Sequence, residues 1–154
     1  MNKTIQTISD VAFRDITTFG GAIFYTILVV SLFLFHQQKL AFILLAGFII
    51  TLFITVIIRL LYFRPRPVKQ EFHNIIERID ASSFPSLHTS RAIFLAGIGI
   101  SYSPSFLFSL FCMLSAALII YSRIHLKKHD GIDVLGGIVV GLGTLWGVMY
   151  GMQC

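Results

Sequence analysis

The chain has 154 residues, of which 56% are hydrophobic and only 12% charged, and it carries a net charge of +5. So apolar a composition excludes an ordinary water-soluble domain and places the chain in a bilayer. The positive charge does not point to nucleic acid, because the lysines and arginines border apolar runs instead of lining one water-exposed face, and anionic headgroups or phosphates suit them better. Cys112 lies inside an apolar run and Cys154 is the last residue, so no disulfide is expected.

Residues 1–15 carry Ile5, Ile8 and Ala12 at helical spacing between polar residues, which predicts a short helix lying on the membrane surface. Residues 16–35 are uncharged, and such a run crosses roughly 30 Å of hydrocarbon at about 1.5 Å per residue. It is too long for a signal-peptide core and lacks a small-residue cleavage site, so it is expected to remain as a membrane anchor. A second span follows at 40–58, joined to the first by the short link His36-Gln37-Gln38-Lys39, so the two form a hairpin. Residues 59–91 are the polar middle of the chain and read as a loop with structure of its own.

Residues 92–122 hold no charge, and this run makes about 46 Å of helix, too long for one untilted span. Ser101-Tyr102-Ser103-Pro104 supplies the break, giving one helix that starts near Ser86 and another over 106–121. The last span covers 134–152, where Gly137, Gly141, Gly143, Gly147 and Gly151 give the helix small residues for close packing on a neighbour. The expected architecture is an all-α integral membrane bundle of about five transmembrane helices plus the N-terminal interfacial helix, in one domain over 1–154.

Three short segments set polar groups at the ends of these apolar helices. In Arg59-Leu-Leu-Tyr-Phe-Arg-Pro-Arg66-Pro67, guanidinium forks suit bidentate binding of phosphate oxygens, although basic residues also simply flank spans as topology signals. In Phe84-Pro85-Ser86-Leu87-His88, proline and exposed backbone N–H groups make an anion site of a helix start, with Ser86 as a further donor and His88 in reach. An ordinary helix start with an incidental histidine is the alternative. In the third segment, Ser122-Arg123 leads to His129 and Asp133. A helix beginning near His129 puts its imidazole one turn from the Asp133 carboxylate, which can hold the ring tautomer while the other nitrogen attacks. Solvated interfacial capping is the competing reading, but an unpaired carboxylate at the start of a membrane span is costly.

Basic-x6-Arg-Pro, then Pro-Ser-x-His, then Ser-Arg-x5-His-x3-Asp together resemble the three-part signature of the type 2 phosphatidic acid phosphatase (PAP2) superfamily. The resemblance covers residues 59–133. It implies a membrane lipid phosphatase in which Arg59, Arg66, Ser86, the Leu87 backbone and Arg123 bind phosphate. It further implies that His129 is the nucleophile, that Asp133 orients it and that His88 protonates the leaving oxygen. Three departures stand out: Arg59 occupies the usual lysine position, Leu87 replaces the usual glycine, and five spans are expected where many members have six.

No metal or cofactor is expected, since the catalytic segments hold no cluster with metal-ligand spacing. The expected partners are a phosphorylated lipid and the bilayer, with no nucleic acid and no obligate protein partner. Undecaprenyl diphosphate, phosphatidylglycerol phosphate, phosphatidic acid and lipid A all remain open as substrates. A lipid phosphotransferase of the same fold, or a small transporter or structural membrane protein, are the competing functions.

Topology gives two conflicting signals. Hairpin spans put 11 of the 12 lysines and arginines on the catalytic side and only Lys39 opposite, which by the positive-inside rule would face the site to the cytoplasm. Resemblance to bacterial lipid phosphatases implies an extracytoplasmic site in the cell (inner) membrane, and this is the reading adopted.

Overall fold

The structure, a computed structural model, describes residues 3–68 and 70–151. Met1, Met152 and Cys154, at the ends of expected elements, lie outside the described residues, as does the side chain of Ile5. Seven helices follow one another: α1 (Lys3–Thr18), α2 (Ala22–Leu34), α3 (Gln38–Leu61), α4 (Ile75–Ala81), α5 (Leu87–Tyr102), α6 (Phe106–His125) and α7 (Gly131–Gly151). The all-α membrane bundle expected from the sequence is the fold observed. By length and composition α3, α6 and α7 can each cross a membrane, and α1 with α2 makes a fourth crossing if the bent pair counts as one broken span.

The first apolar run is divided, because α1 continues through Thr18 and meets α2 at a 41° bend. Glycine permits this turn. A Cβ on Gly20 would lie 2.9 Å from Ile119 Cγ2 and 3.3 Å from His88 Cδ2, so only a bare backbone can pass this close to α5 and α6. Helix α1 is fastened to α6 by Thr17, which accepts a hydrogen bond from Arg123 at 2.9 Å, by the Asp10–His125 pair at 3.1 Å, and by Phe13 against Tyr121.

Helix α5 has 16 residues, short of a full crossing, and it is the buried centre of the bundle, packed on α3, α6 and α7. Its N-terminus is capped by Ser86, whose hydroxyl accepts from the Thr89 backbone N–H, and it ends at Tyr102, close to the break expected before Pro104. Tyr25, Val29, Ile43, Leu44, Phe94 and Ile98 form the main core between α2, α3 and α5. Only part of the glycine series on α7 packs: Gly137 and Gly141 sit against the Ser86 and Ser90 carbonyls of α5, whereas Gly143, Gly147 and Gly151 have nothing nearby. Large apolar side chains such as Ile23, Leu61, Phe106 and Trp146 point outward, as a lipid-facing surface requires.

Candidate active site

The C-terminal ends of α3 and α6 and the N-terminal ends of α5 and α7 meet at one end of the bundle, and all three polar segments converge there. The loop between α3 and α5 is built locally. Asn74, the N-cap of α4, accepts from the Glu77 backbone N–H at 2.8 Å, and Glu77 accepts in turn from the Asn74 side-chain amide at 2.8 Å and from the His73 backbone N–H at 2.7 Å, which fixes the start of α4. Pro65 pairs with Ser82 in an isolated bridge, and the Ser83 N–H donates to the Arg64 carbonyl at 2.7 Å. These contacts bind the Arg64-Pro65-Arg66 arm to the residues that lead into α5.

His129, in the link before α7, is 3% exposed, and Asp133 is fully buried. Their Nδ1 and Oδ2 atoms lie 3.6 Å apart, an ion-pair distance longer than a hydrogen bond. The pair is one turn apart as expected, although α7 starts at Gly131 and so leaves His129 just outside the helix. Burial, and then the charges of Arg123, Arg66, Arg59 and the neighbouring His88, push the His129 imidazole well below its ordinary value. Such an environment favours the neutral ring, whose free lone pair is what a nucleophile needs.

Arg59 is 6% exposed and donates to the carbonyls of Ile79 and Pro85 at 3.1 and 3.0 Å. Arg66 donates to the Asp80 carbonyl and pairs with its carboxylate at 3.8 Å, and Arg123 is held by Thr17. Each of these arginines nevertheless keeps a buried Nε with no hydrogen-bond partner. Among the described residues six buried side-chain polar atoms lack a partner; four are arginine Nε atoms, a fifth is His129 Nδ1, and the other is Thr55 Oγ1. Buried donors are normally satisfied, so a group of orphaned guanidinium N–H groups around a buried histidine fits an anion better than it fits the protein itself. Ser86 is fully buried and engaged as the cap of α5, its hydroxyl also accepting from Thr89 Oγ1 at 3.0 Å, and Leu87 is the first residue of that helix.

Two residues of the candidate site escaped the sequence reading. Arg64 donates to Asp133 Oδ1 at 2.7 Å and to both oxygens of Asp130 at 2.8 and 2.7 Å, and Ser83 Oγ donates to Asp133 Oδ1 at 3.0 Å. The carboxylate beside His129 is thus fixed from its far side. The signal was present, since two aspartates at the mouth of an apolar helix require a cation, and Arg64 sits two residues before Arg66 in a proline-extended run.

Residues 40–153 match the profile of the PAP2 superfamily. The chain belongs to the PAP2 superfamily. It is 33% identical over 124 residues to the undecaprenyl-diphosphatase BcrC of Bacillus subtilis (strain 168), an alignment covering 77% of this chain and 62% of that protein. The chain therefore spans less than two thirds of that relative's length. Its fold is similar to that in the crystal structure of Aquifex aeolicus LpxE, with a TM-score of 0.75 and 23% identity over 93% of this chain and 86% of that one. For a PAP2 member, Arg59 in place of lysine keeps the charge and adds a fork, and Leu87 in place of glycine is accommodated as an ordinary helical residue.

Proposed function

We propose that this PAP2 protein is a membrane lipid phosphatase that removes the terminal phosphate of a lipid phosphate or diphosphate through a phosphohistidine on His129. The observation that carries the reading is the set of orphaned guanidinium N–H groups around the buried His129 imidazole, whose Nδ1 faces a carboxylate. Phosphate oxygens are negative and repel a nucleophile, so the first requirement is cations that neutralise them as the transition state forms. Arg59, Arg66 and Arg123 supply these, with Ser86 and the Leu87 backbone N–H as further donors.

In the first step Nε2 of His129 attacks phosphorus in line, the P–N bond forms, and the bond to the leaving oxygen breaks. His88 gives that oxygen its proton. The developing imidazolium is stabilised by Asp133, which Arg64 and Ser83 hold in place. In the second step His88 takes a proton from water, the water oxygen attacks phosphorus, and the P–N bond breaks to release inorganic phosphate and regenerate His129. The test is phosphate release by the purified protein from undecaprenyl diphosphate, phosphatidylglycerol phosphate, phosphatidic acid and lipid A; release from none of them would refute the reading.

The catalytic end of the bundle faces the extracytoplasmic side of the cell membrane in this reading, which follows the relationship to bacterial lipid phosphatases over the count of flanking cations. Lys39 begins the opposite end of the bundle, in the first turn of α3. A Lys39→Cys protein in a background without native cysteines is expected to react with a membrane-impermeant maleimide only after the cells are lysed. Labelling of intact cells would place the site in the cytoplasm instead.

A further inference from the structure

Arg91 has no part in the reaction just described, yet it is 4% exposed in the second turn of α5. Its guanidinium carbon lies 4.3 Å from the centroid of the Phe48 ring, and its Nε has no hydrogen-bond partner. None of the ion pairs among the described residues involves it. The nearby Tyr25 hydroxyl, which donates to the Leu44 carbonyl at 3.0 Å, can offer Arg91 only the dipole of a phenol oxygen and not a counterion. A buried guanidinium without a counterion inside a membrane protein is costly, and an aromatic face offsets only a small part of that cost. Such a residue calls for an anion that the protein alone does not provide.

Its position on α5 says which anion. His88, the donor to the leaving oxygen, lies three residues earlier, so Arg91 follows it by one helical turn on the same side of the helix. Beyond Arg91 the same helix lines a half-open apolar cavity of about 780 Å³ with Ala92, Leu95 and Gly99, to which Phe19, Leu28 and Ile119 also contribute. The cavity extends along α5 as far as Tyr102, about 15 Å from Ala92. Ile119 also lies beside the Gly20 turn that covers His88, so the cavity opens next to the site. Reading down α5, the order is proton donor, unpaired cation, hydrocarbon space. With His129 attacking the terminal phosphorus, the leaving group departs past His88 toward Arg91, and the first charged group it carries in a diphosphate is its second phosphate.

We infer that Arg91 binds the lipid-side phosphate of a diphosphate substrate and thereby selects lipid diphosphates over lipid monophosphates. This rests on the phosphohistidine reading and narrows its substrate class. The experiment compares kcat/KM for phosphate release from farnesyl diphosphate and from farnesyl phosphate, which share one tail, in the wild-type protein and in Arg91→Met and Arg91→Gln. The ratio of the two values does not depend on how much of a variant is folded. It is expected to fall about 10- to 100-fold in Arg91→Met, the effect of removing a charge-assisted phosphate contact, and by less in Arg91→Gln, which keeps hydrogen-bond donors. An equal loss on both substrates in both variants, or no change in the ratio, overturns the assignment of Arg91 alone. A wild-type protein that releases phosphate from neither lipid overturns the phosphatase reading and the Arg91 assignment with it.

Discussion

His129→Ala is expected to abolish phosphate release while leaving a folded, membrane-inserted protein. The substitution removes the atom that forms the covalent bond, so residual activity should fall by at least about 10⁴-fold, as when the nucleophile of a catalytic triad is deleted. The fold should survive because the His129 side chain has no hydrogen-bond partner at Nδ1 and lies outside α7, so its loss leaves the Arg64–Asp133–Ser83 contacts in place. A phosphate-release assay on purified variant and wild type, with matched gel-filtration profiles, checks both halves. Activity within tenfold of wild type would rule out His129 as the nucleophile.

The second large effect is structural. Gly137→Val is expected to prevent stable packing of α7 on α5, because the first added carbon would already lie 2.6 Å from the Ser86 carbonyl oxygen and 2.8 Å from Thr89 Cβ. Neither neighbour can yield cheaply. The Ser86 carbonyl accepts the Ser90 backbone N–H within the first turn of α5, and the Ser86 N–H donates to the Asp133 carbonyl at 2.9 Å. Overpacking of this kind costs about 1 to 3 kcal/mol or more, and here it also separates the helix carrying Asp133 from the helix carrying His88. Gly143→Val is the matched control, since nothing lies within 4 Å of the added carbon. A thermal melt in detergent should show a lowered midpoint or loss of the folded species for Gly137→Val and a midpoint close to wild type for Gly143→Val; equal melting of the two would contradict this account of the α5–α7 contact.

The two glycine positions illustrate what the sequence could and could not reveal. Small residues along 137–151 announced a closely packed helix, but the face that packs is fixed by which residues of α5 oppose it, and that depends on the assembled bundle. The break before Pro104 and the start of α5 after Ser86 were legible because proline and a capping hydroxyl act locally. The bend at 19–21 was passed over although Gly20-Gly21 is a local turn signal, because whether such a pair breaks an apolar span depends on the close approach to Ile119 and His88 in the assembled bundle. The same division holds for the site. Arg59, Arg66, Ser86, His88, Arg123, His129 and Asp133 could be picked out because polar residues at the ends of apolar helices are conspicuous, and the fold brings their segments to one end of the bundle. Arg64 and Ser83 were missed because their task is to hold Asp133 from 69 and 50 residues away in the chain, a tertiary relation with no local spacing. Arg91 was passed over as a flank of the polar middle, and only its burial on Phe48 without a counterion sets it apart.

The central claim is that phosphate passes through a covalent bond to His129 before it reaches water. Two in-line displacements each invert the phosphorus centre, so together they preserve its configuration, whereas direct attack by water inverts it once. The decisive measurement is hydrolysis of a lipid substrate bearing a chiral, isotopically labelled terminal thiophosphate in oxygen-labelled water, followed by stereochemical analysis of the released thiophosphate. Retention of configuration is the predicted result; inversion would mean that water attacks the lipid phosphate directly and that no phosphohistidine is formed.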